Sequence, residues 1–336
     1  MSYSYFHTPQ FLSTTLHIMT CFEIPVHILG VYMILAKTPE AMKSVKWSMF
    51  NMHFWCMSLD LTISLLITPL ILFPTISGYP MGLLEWFGVD VPTQIYFAVS
   101  LFAVVGIAVL GIFENRFYVL MADNTIWKYI RIPFFVINYL ACLLFFMPPY
   151  LDIPNQDMAR KFVLKKLSEH SSEPLPSWIT YGPVFVLTID ATYSFASVFI
   201  ITITIVIEIL FFIFSLKIYM KCLAKKMTLS KTTLKMQHKF LNAIHAQMFT
   251  PLIILIAPLI YVACSIGFQI FNQAATNISF ILISLHGLAS TIIMLLIHKP
   301  YRDACISLFR FKAHFRTTSV LESRRPSFVS HVAITA

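Results

Sequence analysis

Stretches of about 20 apolar residues with almost no charge recur along this chain, separated by short polar, charged segments. Each is long enough to cross a bilayer as a helix, which rises 1.5 Å per residue through about 30 Å of hydrocarbon. Seven such stretches are predicted: Phe11–Leu35, Ser48–Phe73, Thr93–Val119, Ile132–Tyr150, Tyr193–Leu216, Phe240–Ile270 and Ile278–Ile297. The last two come from one run, Phe240 to His298, that contains no Asp, Glu, Lys or Arg. As a single helix it would be about 88 Å long, so it must fold back, and the polar cluster Asn272–Asn277 is the expected turn. The first stretch is read as a retained span: no Lys or Arg precedes it, and its apolar part is too long for a signal peptide.

Composition agrees. The chain of 336 residues is 58% hydrophobic and 12% charged, with a mean hydropathy of +0.77. A soluble domain carries about 25% charged residues, so a water-facing globular protein and a disordered chain are both excluded. The six cysteines show no zinc-type spacing, no disulfide framework and no expected cofactor.

Charge orients the bundle. Of the 24 Lys and Arg residues, 20 fall in the first, third and fifth connections and the tail. The other four are Arg160, Lys161, Lys165 and Lys166, between spans four and five. Basic loops stay in the cytoplasm. The expected architecture is therefore an all-α seven-transmembrane bundle with the N-terminus outside and the C-terminus inside. Residues 1–10 form the outer N-terminus, 11–297 the bundle, 298–315 a short amphipathic helix on the inner membrane surface, and 316–336 a disordered cytoplasmic tail. Lipid is the expected partner of the basic runs. No nucleic-acid motif accompanies them.

The segment Glu23-Ile-Pro-Val-His27-Ile-Leu-Gly30-Val-Tyr32, followed by Lys37-Thr-Pro-Glu40-Ala-Met42 and Val45-Lys-Trp47, resembles the start of nematode serpentine chemoreceptors, most closely serpentine receptor class H. Glu114-Asn-Arg116-Phe-Tyr118 at the end of span three, the basic loop after span five and Pro300-Tyr-Arg302 after span seven extend the resemblance over nearly the whole chain. It implies a chemosensory receptor in the plasma membrane, the sensory cilium included, that binds a small molecule and activates a heterotrimeric G protein. By the same resemblance Arg116 lies at the floor of the G-protein cavity, with Lys225 and Lys226 beside it. Three features depart from rhodopsin-like receptors. No acid directly precedes Arg116, span seven lacks Asn-Pro-x-x-Tyr, and no outer segment contains cysteine.

Ionisable groups at membrane depth cost about 2.5–3.5 kcal/mol each on insertion scales and usually face the bundle interior. Glu23 and His27, one turn apart in span one, read either as ligand contacts or as a hydrogen-bonded packing pair. His286 in span seven could join a ligand site or partner Asp60 or Glu23. Asp60 in span two reads as a switch or ion site, or as a buried carboxyl. Glu208 faces the bundle in span five. Pro251 and Pro258 each remove a backbone hydrogen bond from span six and could form a hinge. Cys305, on the apolar face of the last helix, is a lipidation candidate. A transporter or ligand-gated channel is the alternative function, although the two halves show no internal symmetry. An enzyme is not expected, since HExxH and paired-aspartate motifs are missing.

Overall fold

The computed structural model describes residues 4–121, 125–171, 173–225 and 231–308. Seven helices in it are long and apolar enough to span a membrane: Pro9–Lys37, Lys43–Ile67, Val91–Met121, Trp127–Leu151, Thr192–Cys222, His245–Gly267 and Gln273–Ile297. Local chemistry sets their ends. Thr8 caps span one by accepting the Phe11 N–H at 3.2 Å, with Pro9 in the first turn. Asp90 accepts the Thr93 N–H at the start of span three, a bond that also holds its carboxyl below the usual range. Asp190 does the same for Thr192 before span five. Each cap satisfies a backbone donor that the helix cannot.

Span two ends earlier than its hydrophobicity suggests. The helix passes into a π-helical stretch, Thr62–Ile67, and stops at Thr68, which has φ of +47°. Of the residues up to Phe73, expected inside the span, Pro69–Ile71 instead form a strand. The expected turn at Asn272–Asn277 is also shifted. The chain reverses over 268–272, and Asn272 caps the next helix through the Ala275 N–H. Asn277 is buried inside that helix and donates to Phe6 and Thr8 carbonyls.

The core is centred on span three, whose Ile107, Ala108 and Leu110 are fully buried against spans two and five. Phe212 in span five meets Phe117, Trp127 and Phe134 edge to face, a geometry the ring quadrupoles favour.

At the end of the bundle that carries the N-terminus lies a lid of a kind the hydrophobic pattern does not announce. Strands β1 (Pro69–Ile71), β2 (Ile76–Pro80) and β3 (Phe185–Thr188) form an antiparallel sheet in that order. Gly78 lets β1 and β2 approach: a Cβ there would sit 2.1 Å from the Leu70 carbonyl oxygen. The helix Gln156–His170 packs on the sheet through Ala159, Val163 and Leu167. Gln156 extends the sheet by exchanging two amide bonds with Val186 at 2.9 and 3.0 Å. Arg160 donates to the Gly182 carbonyl at 2.6 Å.

No disulfide supports this lid, because all six cysteines are free. Dithiothreitol is therefore expected to leave surface level, thermal stability and ligand response unchanged. A response lost in reductant while the membrane stays intact would mean that a cross-link holds the receptor.

Candidate functional site

Spans one, two and seven meet at a buried polar cluster. Glu23, His27, His53, Asp60, His286 and Thr291 are each no more than 3% exposed. Asp60 is its hub. One carboxylate oxygen accepts from His27 Nε2 at 3.2 Å and from the Leu288 N–H at 2.8 Å. The other accepts the Gly287 N–H at 3.1 Å and lies 2.9 Å from His286 Nδ1.

Backbone geometry makes this possible. Span seven has a turn at Leu285 between two helical segments, Gln273–Ser284 and His286–Ile297. The free N–H groups of the second segment point at Asp60, where the helix dipole also favours negative charge. A Cβ on Gly287 would sit 2.5 Å from Asp60 Oδ2, so glycine is required for the contact. Gly30 plays the same part for His53, whose ring would lie 2.5 Å from a Cβ there. His53 Nε2 donates to the His27 carbonyl at 3.0 Å, and Thr291 Oγ1 lies 3.3 Å from both His27 Nδ1 and His53 Nδ1.

Glu23 and His27 share a face of span one, but no hydrogen bond joins them. Glu23 Oε2 accepts from Ser64 at 2.8 Å, and Ser64 lies 2.9 Å from Thr20. Since N–H donors surround Asp60, a cation would have to displace some of them to bind there. The sequence does not mark His53, Thr291, Ser64 or Gly287, and it shows Gly30 only within the family-like block of span one. The helical spacing of His53 to Asp60, two turns apart on one face of span two, was the available signal.

A second cluster lies at the opposite end of the bundle. Glu114, fully buried, accepts from Trp127 Nε1 at 2.7 Å and pairs with Arg131 at 3.0 Å. Arg131 also reaches Asn115 Oδ1 at 3.2 Å and stacks 4.1 Å from the Tyr118 ring. Arg116 points elsewhere. It is 8% exposed and acts electrostatically on His298, which in turn bonds Gln247 Oε1 at 2.8 Å and so ties span seven to span six.

The remaining residues are dispersed. Asn138 reaches Glu208 at 3.4 Å. Pro251 and Pro258 lie within the helix Lys231–Gly267, which is continuous past both. Cys305 is partly exposed on a helical stretch over 299–308, anchored by buried Tyr301, whose hydroxyl lies 2.8 Å from Thr38 Oγ1. Lys225 ends the span-five helix. Lys226, residues 309–315 of the expected amphipathic helix and the expected tail at 316–336 lie outside the described residues.

A family model described as serpentine type 7TM GPCR chemoreceptor Srh matches residues 7–311. Serpentine receptor class H-72 of Caenorhabditis elegans is 22% identical over 313 residues, covering 90% of this chain and 88% of that protein.

Proposed function

The chain belongs to the serpentine type 7TM chemoreceptor Srh family and is a multi-pass plasma membrane protein, and from that premise we propose how it receives and transmits a signal. In this proposal the lid end with the N-terminus faces outward, in keeping with the distribution of basic residues. A small, mainly apolar ligand binds from that side. Binding shifts the population between two packings of the bundle, and the basic end then accepts a heterotrimeric G protein.

In this reading Glu23, His27, Asp60 and His286 couple ligand to packing, because they join spans one, two and seven through bonds that a helix displacement must break. Pro251 and Pro258 give span six its hinge. Lys225 and Lys226 contribute charge to G-protein coupling.

The observation that carries the output half is the burial of Arg116 beside the His298–Gln247 contact. A guanidinium enclosed by spans three, six and seven becomes available when span six moves away, and its planar fork suits the carbonyls at the end of a docking helix. Both Arg116→Ala and Arg116→Lys are expected to reach the cell surface normally. Each should lose signal by about tenfold or more, the worth of a hydrogen bond to a charged group, in a G-protein reporter assay. Full signalling by Arg116→Lys would mean that any buried cation serves at this position and would remove the case for a guanidinium at the docking surface.

A further inference from the structure

We propose that the ligand seats in a cleft beneath the lid sheet and donates one hydrogen bond to Gln94, which makes it a short, neutral, mainly apolar molecule with a single hydroxyl donor. The proposal rests on the receptor reading above and names the ligand class of that receptor. The cleft has a volume of about 70 Å³, between the sheet and the first turns of span three. Ile71, Tyr79, Val91, Gln94, Ile95 and Phe185 are among the residues that line it.

Gln94 is 1% exposed. Its Nε2 donates to the Val89 carbonyl at 2.7 Å, which fixes the orientation of the amide. The atom left over is therefore Oε1, and it is buried with no hydrogen-bond partner among the described residues. A buried acceptor without a donor is a free-energy penalty that a suitable ligand removes. The other polar side chains in the lining are Ser77, whose hydroxyl lies 2.7 Å from Thr75 Oγ1, and Tyr79.

Water fits such a site poorly, because an ordered water needs two to four polar partners. A carboxylate would present acceptor to acceptor, and an ammonium would bury an unpaired charge. An alcohol suits both the lining and the orphan oxygen. Size follows from the volume. An apolar cavity of about 150 Å³ holds benzene, so 70 Å³ holds roughly three or four heavy atoms; a longer ligand must lift the sheet.

The cleft also has a route to the buried cluster. Ile67 lines it at the end of the same π-helical stretch that carries Ser64, the Glu23 partner. Span seven reaches β1 through Gln273 Nε2, 3.0 Å from the Ile71 carbonyl.

The test uses the purified full-length receptor in nanodiscs, with ligand-observed NMR of 1-propanol and of methoxyethane, which has the same heavy atoms and no donor. The wild type is expected to bind 1-propanol roughly five- to tenfold more tightly, the worth of one neutral hydrogen bond. Gln94→Leu should abolish the preference, and Ile95→Phe should weaken both probes by narrowing the cleft. Equal binding of the two probes by wild type, or a preference that survives Gln94→Leu, overturns the proposal. If Gln94→Leu does not fold, retention of 1-propanol binding by folded Ile95→Phe overturns it instead. A reporter assay separates the two levels. Gln94-dependent binding without G-protein output leaves the site standing and removes the coupling. A receptor that signals to other ligands while binding both probes equally loses the site alone.

Discussion

Asp60→Ala is expected to remove most of the folded receptor from the membrane. The substitution deletes an acceptor for four donors at once: His27, His286 and the backbone N–H groups of Gly287 and Leu288. All lie where water does not reach; His286 Nδ1 keeps the Ile283 carbonyl at 2.9 Å, the others lose their acceptor, and the lost volume leaves a void. Breaking a buried pair of this kind costs about 3–5 kcal/mol, and the two stranded amides add to it. In detergent the midpoint of thermal unfolding should fall by about 10 °C or more, with a matching loss of surface expression. Asp60→Asn keeps one oxygen and should lose less. A wild-type midpoint for Asp60→Ala would mean that spans one, two and seven are held by packing alone.

Arg131→Ala is expected to be the next most damaging change, at the opposite end of the molecule. Glu114 has no solvent exposure and depends on Arg131 and Trp127 for its hydrogen bonds. Removing the guanidinium leaves a buried carboxylate with only the indole N–H, and also removes the Tyr118 stack and the Asn115 contact. Again about 3–5 kcal/mol is at stake. Arg131→Lys should recover only part of this, since an ammonium cannot satisfy both acceptors in the plane of a stacked guanidinium. Glu114→Gln in the Arg131→Ala background should restore stability, because it removes the stranded charge. A double variant no better than the single one would show that the loss comes from packing.

The seven spans were readable because each needs only a long, charge-poor run, and the fold-back near Asn272 because no single helix can be that long. The sheet was not readable. Its strands are three to five residues long, carry Pro69, Pro80 and Gly78, and pair β2 with a segment lying beyond two further spans. Span hydrophobicity also ran on into β1, so Leu70 and Leu72 resembled membrane residues while packing under the lid.

At the buried site, the ionisable residues were conspicuous by their rarity in lipid-soluble sequence. The small residues that let them meet were not, because glycine at position 30 or 287 signals nothing until the opposing side chain is known. Arg116 and Arg131 show the same limit. Glu114 and Arg116, two residues apart in span three, do not face each other on a helix. Only the packing of span four reveals that Arg131 takes the acid.

The order of strands in the lid has a consequence for biosynthesis. β2 is the central strand, yet its second neighbour, β3, is made only after spans three and four and the helix Gln156–His170. At 5–20 residues per second, the chain between Pro80 and Phe185 takes roughly 5–20 s to emerge. During that interval β2 presents an unsatisfied edge, the feature that recruits stray strands and causes aggregation. Passage of newly made receptor through quality control should therefore depend on how fast Phe185–Thr188 arrives. Lengthening the segment before β3 should slow maturation even where the finished fold is equally stable.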